Sequence, residues 1–300
     1  MATSAGPPHR PPHRHSHRQS GGAGADATTA ITGEAIPATP SRLVAALRQA
    51  DYHWTRLRRT WKGSIVTAIV NPLLYVLAMG LVLGDYIDRA GTGPQGAPSY
   101  LHFIAAGLLA GQAMTIAIGD STYPVYGAIK WDKTFYSMTV TPLRVGDIVT
   151  AHLAAVVVRV GLSCAVFMLV LSLFGVFATL GGALLAFGVQ LLVGLAFAAP
   201  ITAYSVQAKS DSGFAIIFRV VLVPLYLFSG AFFPTSNLGP ALERLVMISP
   251  LWHGVELTRA LMLGTPLPVA VVLVHLAVLA GMAALGWWLA ARLLGRRLLL

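Results

Sequence analysis

Six stretches of this chain are long and apolar enough to cross a lipid bilayer, and this limits the folds open to it. Each is close to the about 20 residues that a helix needs to span the hydrocarbon core. Only 11% of the 300 residues are charged, whereas soluble domains carry about 25%. We therefore predict an all-α membrane protein with six transmembrane helices. The predicted spans lie at about 63–84, 100–122, 146–173, 180–203, 214–233 and 267–290.

The distribution of basic residues predicts the orientation of these spans. Lysine and arginine cluster before span one, between spans two and three, at the start of span five and after span six. The alternate loops carry few or balanced charges. The positive-inside rule then places both termini in the cytoplasm of a multi-pass plasma-membrane protein. The net charge of +10 is thus explained by anionic membrane lipid as a partner, and not by nucleic acid.

Two segments precede the first span. Residues 1–40 are rich in His, Pro, Gly and Ala, lack the apolar core of a signal peptide, and are predicted to be disordered. Residues 41–62 have helical periodicity with a basic polar face, which favours an amphipathic helix at the membrane interface over an ordinary soluble one. Residues 63–300 then form the six-span domain.

The motifs of several enzyme classes are absent. The sequence contains no G-x-x-x-x-G-K-[ST], G-x-S-x-G or H-E-x-x-H pattern, so it lacks the usual phosphate-binding loop, nucleophile elbow and zinc-protease site. The histidines outside the tail have no metal-ligand spacing. We predict no catalytic residue, no metal site and no cofactor bound by this chain. The scarcity of carboxylates within the predicted spans also weakens the hypothesis of a proton-coupled transporter.

Two features inside the predicted spans bear on helix packing. Gly107 and Gly111 in span two have a spacing that permits close helix approach. Arg159 lies near the middle of span three, where insertion costs about 2.5–3.5 kcal/mol, and Asp120 lies near the inner end of span two. Arg159 should face the bundle interior or a wet cavity, with Asp120 or a helix C-terminal carbonyl as its partner. Both are candidate cavity residues; the alternatives for Arg159 are a structural ion pair or snorkelling to the interface.

The segment between spans two and three, residues 130–142, combines aromatic residues with Ser and Thr. We predict that it is helical up to Pro142, which would end the helix. It either docks on another protein or forms an ordinary turn between spans.

Span five ends in LYLFSGAFFP, with a Ser-Gly break followed by a proline. The next residues, 234–264, are too polar for a seventh span and too apolar for a solvated loop. We predict short re-entrant helices there, bounded by Pro240 and Pro250, which need cover from protein or a cavity. Such a cap would form an outer gate.

Both segments resemble signatures of the ABC-2 type exporter permeases. KWDKTFYSMTVTPL is similar to the pattern K-W-x-K-T-[FY]-x-x-M-x-x-T-P-L, which precedes the third span in that family. LFSGAFFP is similar to a fifth span that ends in F-S-x-x-F-F-P, and PLWHGVELTR to P-L-[YW]-H-x-V-E-L-x-R. The resemblance covers about residues 41–300. It is strongest to permeases of nodulation-factor (lipo-oligosaccharide) export and of daunorubicin-type drug resistance.

The resemblance implies an exporter permease without an ATPase site of its own. Two copies would pair as a homodimer with two ATPase subunits, which bind ATP and magnesium. The complex would move an amphipathic substrate (lipo-oligosaccharide, lipid or antibiotic) outward, which would include antibiotic resistance by efflux. The alternatives are a polytopic membrane enzyme acting on a lipid, or an ATP-independent carrier.

The candidate site residues fall into two groups on this interpretation. The residues expected to contact the ATPase are Lys130, Trp131, Lys133, Phe135, Tyr136, Met138, Thr141 and Pro142. The residues expected to form the external gate are Ser229, Gly230, Phe232, Phe233, Pro234, Pro250, His253, Glu256 and Arg259.

Overall fold

A computed structural model describes residues 70, 73–91, 96–139 and 143–299, and these residues contain helices and turns but no β-strand. The 1–40 tail, the 41–62 helix, residues 63–69, 71 and 72 of the predicted first span, and Thr141 and Pro142 lie outside the described residues. The first helix is π-helical, and a π-helical turn, Ile217–Leu222, joins the eighth helix to the ninth. The helices are α1 (Val76–Leu83), α2 (Gly84–Arg89), α3 (Tyr100–Ser121), α4 (Tyr123–Lys130), α5 (Thr134–Thr139), α6 (Val145–Ser172), α7 (Leu180–Gln207), α8 (Ser212–Ile216), α9 (Val223–Phe228), α10 (Pro240–Met247), α11 (Pro250–Leu263) and α12 (Val269–Leu299).

Four helical stretches of the described chain are long and apolar enough to cross a membrane: Tyr100–Lys130, Val145–Ser172, Leu180–Gln207 and Val269–Leu298. They confirm the second, third, fourth and sixth predicted spans as membrane-length helices. At the fifth predicted span the structure has a shorter apolar helix, Ser212–Phe228. It ends early because Gly230 adopts a left-handed backbone, with φ 77°, which stops a helix. The count of six spans therefore stays a prediction.

The core of the bundle is formed around α3 and α7. Most of α3 is buried within the chain, whereas only a small part of α12 is buried. Small residues let the helices approach closely. A Cβ added to Gly194 of α7 would lie 3.0 Å from Val160 of α6, and one added to Gly286 of α12 would lie 2.5 Å from the backbone nitrogen of Pro200 in α7. Overall, glycine and alanine at these crossings set the helix spacing.

Two sets of contacts define the ends of the bundle. At one end the Tyr126 hydroxyl donates to the carbonyl of Lys209 at 3.4 Å, and the Arg297 guanidinium donates to the carbonyl of Val206 at the end of α7. We call it the basic end, because Lys130, Arg144 and Arg296 also belong to it. At the opposite end the backbone N–H of Ala178 donates to the carbonyl of Met262 at 2.9 Å.

Candidate functional site

The 130–142 segment contains a shorter helix than the sequence predicts. Lys130 is the last residue of α4, and the chain then turns at Trp131 and Asp132. Lys133 has a positive φ of 51°, which interrupts the helix. Helix α5 therefore begins at Thr134, and its described part runs to Thr139.

The candidate coupling side chains of this segment divide into exposed and buried ones. Trp131 is 63% exposed and Tyr136 is 38% exposed, and Lys130 and Lys133 are also exposed. Phe135 is buried, with its ring centroid 6.5 Å from that of His152 on α6. Met138 is partly buried against the core. Phe135 is thus an internal anchor of α5, and the exposed aromatic surface is formed by the two other rings.

An aromatic cluster connects this segment to the start of the Ser212–Phe228 helix. Trp131 packs edge-on against Tyr126, with centroids 5.5 Å apart, and Tyr126 packs against Phe214 at 5.7 Å. Phe214 is fully buried and also contacts Tyr123 and Tyr204. Edge-to-face pairs of this kind are worth about 0.5–1.5 kcal/mol each beyond their buried area. The basic end therefore has a packed route from an exposed tryptophan to α8.

The 234–264 segment forms two helices that begin at Pro240 and Pro250, as the sequence predicts. Proline suits the first turn of a helix, where no backbone donor is needed. Helix α11 packs among α3, α7 and α12, and more than half of its residues are buried. It ends at Gly264, which has a left-handed conformation. Protein therefore covers α11.

Close packing and buried hydrogen bonds fix α11 against α7. A Cβ on Gly254 would lie 2.5 Å from Val193, so only glycine fits at that crossing. The fully buried Gln190 amide donates to the Thr258 hydroxyl at 2.7 Å, and that hydroxyl donates to the carbonyl of Gly254 at 2.6 Å. These contacts remove backbone and side-chain polar groups from lipid.

Arg259 joins three elements at the opposite end of the bundle. Its Nη2 donates to the carbonyl of Gly230 at 2.5 Å, and its Nη1 donates to the Glu256 carboxylate. The guanidinium also lies over the Phe103 ring of α3, 3.9 Å from the centroid. Only 12% of the Arg259 side chain is exposed. Burial lowers the pKa of Arg259 and the adjacent Glu256 raises it in partial compensation.

The other gate candidates lie around this junction. Gly230 and Ser229 are buried, and the Ser229 hydroxyl donates to the carbonyl of Tyr226. The carbonyl of Phe232 accepts a hydrogen bond from the Tyr100 hydroxyl at 3.0 Å. Phe233 and Pro234 are half-buried and lead into a 3-10 turn, Thr235–Leu238.

His253 and His275 form a buried pair between α11 and α12. Their Nδ1 atoms lie 2.7 Å apart, so one imidazole donates to the other. The Trp252 ring stacks beside both, with centroids 5.0 Å and 5.3 Å away. Burial is the main reason that the pKa of His253 is lowered.

Arg159 and Asp120 form the ion pair that the sequence suggests, with Nη1 and Oδ1 2.8 Å apart. They lie on the neighbouring helices α6 and α3, with Arg159 midway along α6 and Asp120 one residue before the end of α3. The Arg159 side chain is 44% exposed and that of Asp120 is 18% exposed. The pairing is thus established, while the role of the pair is a separate question.

Sequence reasoning missed several residues of this site. Phe103 and Tyr100 are ordinary apolar positions of a predicted span, and nothing in the sequence marks their contacts with Arg259 and Phe232. Gln190 offered a usable signal, because a polar amide in the centre of an apolar span requires a partner. Thr258 supplies that partner from a distant segment.

Comparisons with known proteins agree with these observations. The profile of the ABC-2 type transporter family matches residues 49–263. Nodulation protein J of Rhizobium leguminosarum bv. trifolii is 32% identical over 250 residues, which are 82% of this chain and 92% of the relative. Nodulation protein J of Rhizobium meliloti (strain 1021) is 30% identical over 264 residues, 85% of this chain and 98% of the relative. Nodulation protein J of Sinorhizobium fredii (strain NBRC 101917 / NGR234) is 31% identical over 268 residues, which are 88% of this chain and 97% of the relative.

Proposed function

This chain belongs to the ABC-2 type transporter family, and from that membership we propose that it is the permease subunit of an ATP-binding cassette exporter. It would move an amphipathic substrate out across the plasma membrane. Two copies of the chain would pair with two separate ATPase subunits, which hold the ATP and magnesium. The basic end, which carries the exposed residues Lys130, Arg144 and Arg296, would face the cytoplasm and anionic lipid.

One observation carries the proposal. The Ser212–Phe228 helix is connected at its first turn to the 130–142 segment through Phe214, Tyr126 and Trp131. Just beyond its last turn, Gly230 is held by Arg259 of α11. A movement of the exposed segment can therefore pass along one helix to the opposite end of the bundle. An ATP-driven exporter needs such a connection between its ATPase contact and its exit.

The exposed residues of the 130–142 segment form the proposed ATPase contact. Trp131 and Tyr136 supply apolar aromatic surface, and Lys130 and Lys133 supply charges at its edge. Aromatic residues dominate the binding energy of interfaces, while rim charges mainly affect association rate and specificity. Phe135 holds α5 in place from inside the chain.

Helix α11 and the Arg259 junction form the proposed outer gate. Re-entrant backbone at membrane depth needs protein cover, and the burial of α11 among α3, α7 and α12 supports such a position. Release of Arg259 from Gly230 would free the end of the Ser212–Phe228 helix. An amphipathic substrate would leave at this point.

The relatives named nodulation protein J support a lipo-oligosaccharide as the first substrate to test. Other amphipathic molecules, including lipids and anthracycline antibiotics, form the second group. Their common feature is an apolar tail joined to a polar head, which suits the exposed apolar faces of the bundle.

The proposal is tested by reconstitution with the ATP-binding cassette subunit encoded nearest to this chain. The two proteins should co-purify, and inside-out vesicles that contain both should take up a lipo-oligosaccharide or an anthracycline only with ATP and magnesium. Vesicles with either protein alone are the controls. Uptake by this chain without any ATPase subunit would instead indicate an ATP-independent carrier.

A further inference from the structure

We propose that α3 and α6 bind the anionic headgroup of an amphipathic ligand within the membrane, with Arg159 as the contact residue. The inference rests on the proposed function for its membrane setting and adds a chemical class of ligand to it. The surface concerned, called here the polar strip, consists of Gln112, Thr115, Gly119 and Asp120 of α3 and Arg159 and Ser163 of α6.

Helical spacing places these residues on adjoining faces of the two helices. Thr115 and Asp120 follow Gln112 by three and by eight residues. The three side chains therefore lie on the same side of α3. Ser163 follows Arg159 by four residues on α6. The Gln112 amide donates to the Ser163 hydroxyl at 3.1 Å, and Arg159 pairs with Asp120 at 2.8 Å. Two polar contacts thus hold the helices together along the polar strip.

Arg159 lies deep within its own helix. The residue lies midway along α6 (Val145–Ser172), roughly 20 Å from either end at about 1.5 Å per residue. The hydrocarbon core is about 30 Å thick, so each interface is about 15 Å from the centre. The backbone of Arg159 therefore lies far from both ends of α6, while its guanidinium pairs with Asp120, one residue before the last residue of α3.

The exposure of the pair shows which charge a ligand can reach. The Asp120 side chain is largely covered, whereas 44% of the Arg159 side chain is exposed. Arg159 uses Nη1 for Asp120, and within the described part of the chain its Nε and Nη2 have no hydrogen-bond partner. Among the described residues, a Cβ added to Gly119 would meet no neighbouring atom within 4 Å, so this part of the chain leaves space beside the pair.

In a purely structural ion pair both charged side chains would be buried, whereas the Arg159 side chain is 44% exposed. A half-exposed guanidinium at membrane depth requires water or an anion. Phosphate, sulfate and carboxylate groups fit, because their oxygens can accept parallel hydrogen bonds from Nε and Nη2. Val158 and Leu162, which flank Arg159 on α6 and are more than half exposed, offer apolar surface for the ligand's tail.

The binding test uses the full chain in phosphatidylcholine nanodiscs and two fluorescent probes, cis-parinaric acid and its methyl ester. We expect the wild-type chain to bind the carboxylate at least about tenfold more tightly than the ester, as charge-assisted hydrogen bonds imply. The double variant Arg159→Met, Asp120→Asn removes both charges of the pair and should lose this preference. Arg159→Lys should keep part of it, because the cation remains.

A second variant tests the polar strip without changing the ion pair. Gly119→Leu should fill the open space and weaken carboxylate binding about tenfold, while the unfolding temperature stays near that of the wild type. Arg292→Met, which removes an exposed arginine at the basic end, is the matched control and should keep the preference.

The outcomes separate this inference from the proposed function. Equal binding of both probes by the wild type, or a preference retained in both the double variant and Gly119→Leu, would overturn the inference while leaving ATP-dependent export untouched. Competition by phosphatidylglycerol in the nanodisc would identify a resident lipid as the ligand. Binding that such lipid does not displace would identify a transported molecule, and either result supports the anionic headgroup.

Discussion

Arg259 of α11 donates a hydrogen bond to the carbonyl of Gly230, with Nη2 and the oxygen 2.5 Å apart. Gly230 has a left-handed backbone, so its carbonyl is available to a side chain instead of continuing a helix. The same guanidinium lies over Phe103 of α3. One buried cation therefore joins the proposed gate, the end of the Ser212–Phe228 helix and the centre of the bundle.

The first prediction concerns this junction. Arg259→Met should remove the contacts with Gly230 and Glu256 and leave the Glu256 carboxylate without its partner. Breaking a fully buried pair costs about 3–5 kcal/mol, and the cost here is smaller because the Glu256 side chain is 34% exposed to solvent screening. We expect ATP-dependent uptake into inside-out vesicles to fall by an order of magnitude or more, and the unfolding temperature of the purified protein to drop.

Two further variants distinguish an effect on transport from an effect on stability. Arg259→Lys keeps the charge but cannot reproduce the planar contacts with the carbonyl, carboxylate and ring, so it should restore stability more than transport. Arg244→Met removes an exposed arginine of α10 and should change neither. Full transport by Arg259→Met would exclude a gating role for Arg259.

The second prediction concerns the contact between α3 and the chain after α9. A Cβ on Gly107 would approach the backbone of Ala231 well inside contact distance. Because backbone cannot move aside cheaply, Gly107→Ala should destabilise the protein by about 1–3 kcal/mol. Thermal unfolding of the purified protein measures this.

Gly119→Ala is the matched control on the same helix. A Cβ there meets no atom of the described neighbouring residues within 4 Å, so this substitution should leave stability unchanged or raise it slightly through the helix propensity of alanine. Equal effects of the two substitutions would mean that the close approach to Ala231 does not exist in the membrane.

The third prediction concerns the pH dependence of the His253–His275 pair. Burial lowers the pKa of His253 below its ordinary value of about 6.5. The unfolded chain therefore takes up a proton at lower pH that the folded chain does not. This stabilising contribution is fully present above about pH 6.5 and is lost as the pH falls towards the lowered pKa of the folded state.

Unfolding temperatures measured between about pH 7.5 and pH 5 test this expectation. The double variant His253→Phe, His275→Phe should show a flatter pH dependence than the wild type. Glu256, which interacts electrostatically with His275, stays in place in both proteins. His102→Gln removes a partly exposed histidine that contacts Ser99 and should leave the curve unchanged. A double variant with the wild-type pH dependence would rule out the buried pair as its source.

The fourth prediction separates docking from anchoring in the 130–142 segment. Trp131→Ala combined with Tyr136→Ala removes exposed aromatic surface, so it should weaken co-purification with the ATPase and lower ATP-dependent transport. Phe135→Ala removes a buried side chain and should destabilise the protein by about 3 kcal/mol.

Pull-down of the ATPase subunit and thermal unfolding of the permease, measured on both variants, distinguish the two roles. If the Trp131, Tyr136 variant binds the ATPase as the wild type does, the exposed rings are not the docking surface. A stable Phe135→Ala protein would in turn show that the ring is not an anchor.

The sequence predicted the long helices well because each apolar run must be a helix to satisfy its backbone in lipid. The boundaries at Pro240 and Pro250 were also predictable, since proline marks the first turn. The Arg159–Asp120 pair was anticipated because a charge at that depth needs a partner. In contrast, the break at Lys133, which shortens α5, was not visible, because lysine does not usually adopt a positive φ.

By itself the sequence determined an all-helical membrane protein, its membrane-length helices and its motifs. These follow from local composition, which decides whether a segment can satisfy its own backbone in lipid. Only the tertiary structure decided that Phe135 faces inward and Trp131 outward, that Arg259 contacts Gly230, and that Arg159 is the accessible member of its pair. These contacts join residues far apart in the chain, and helix crossings set by small residues such as Gly107 determine them.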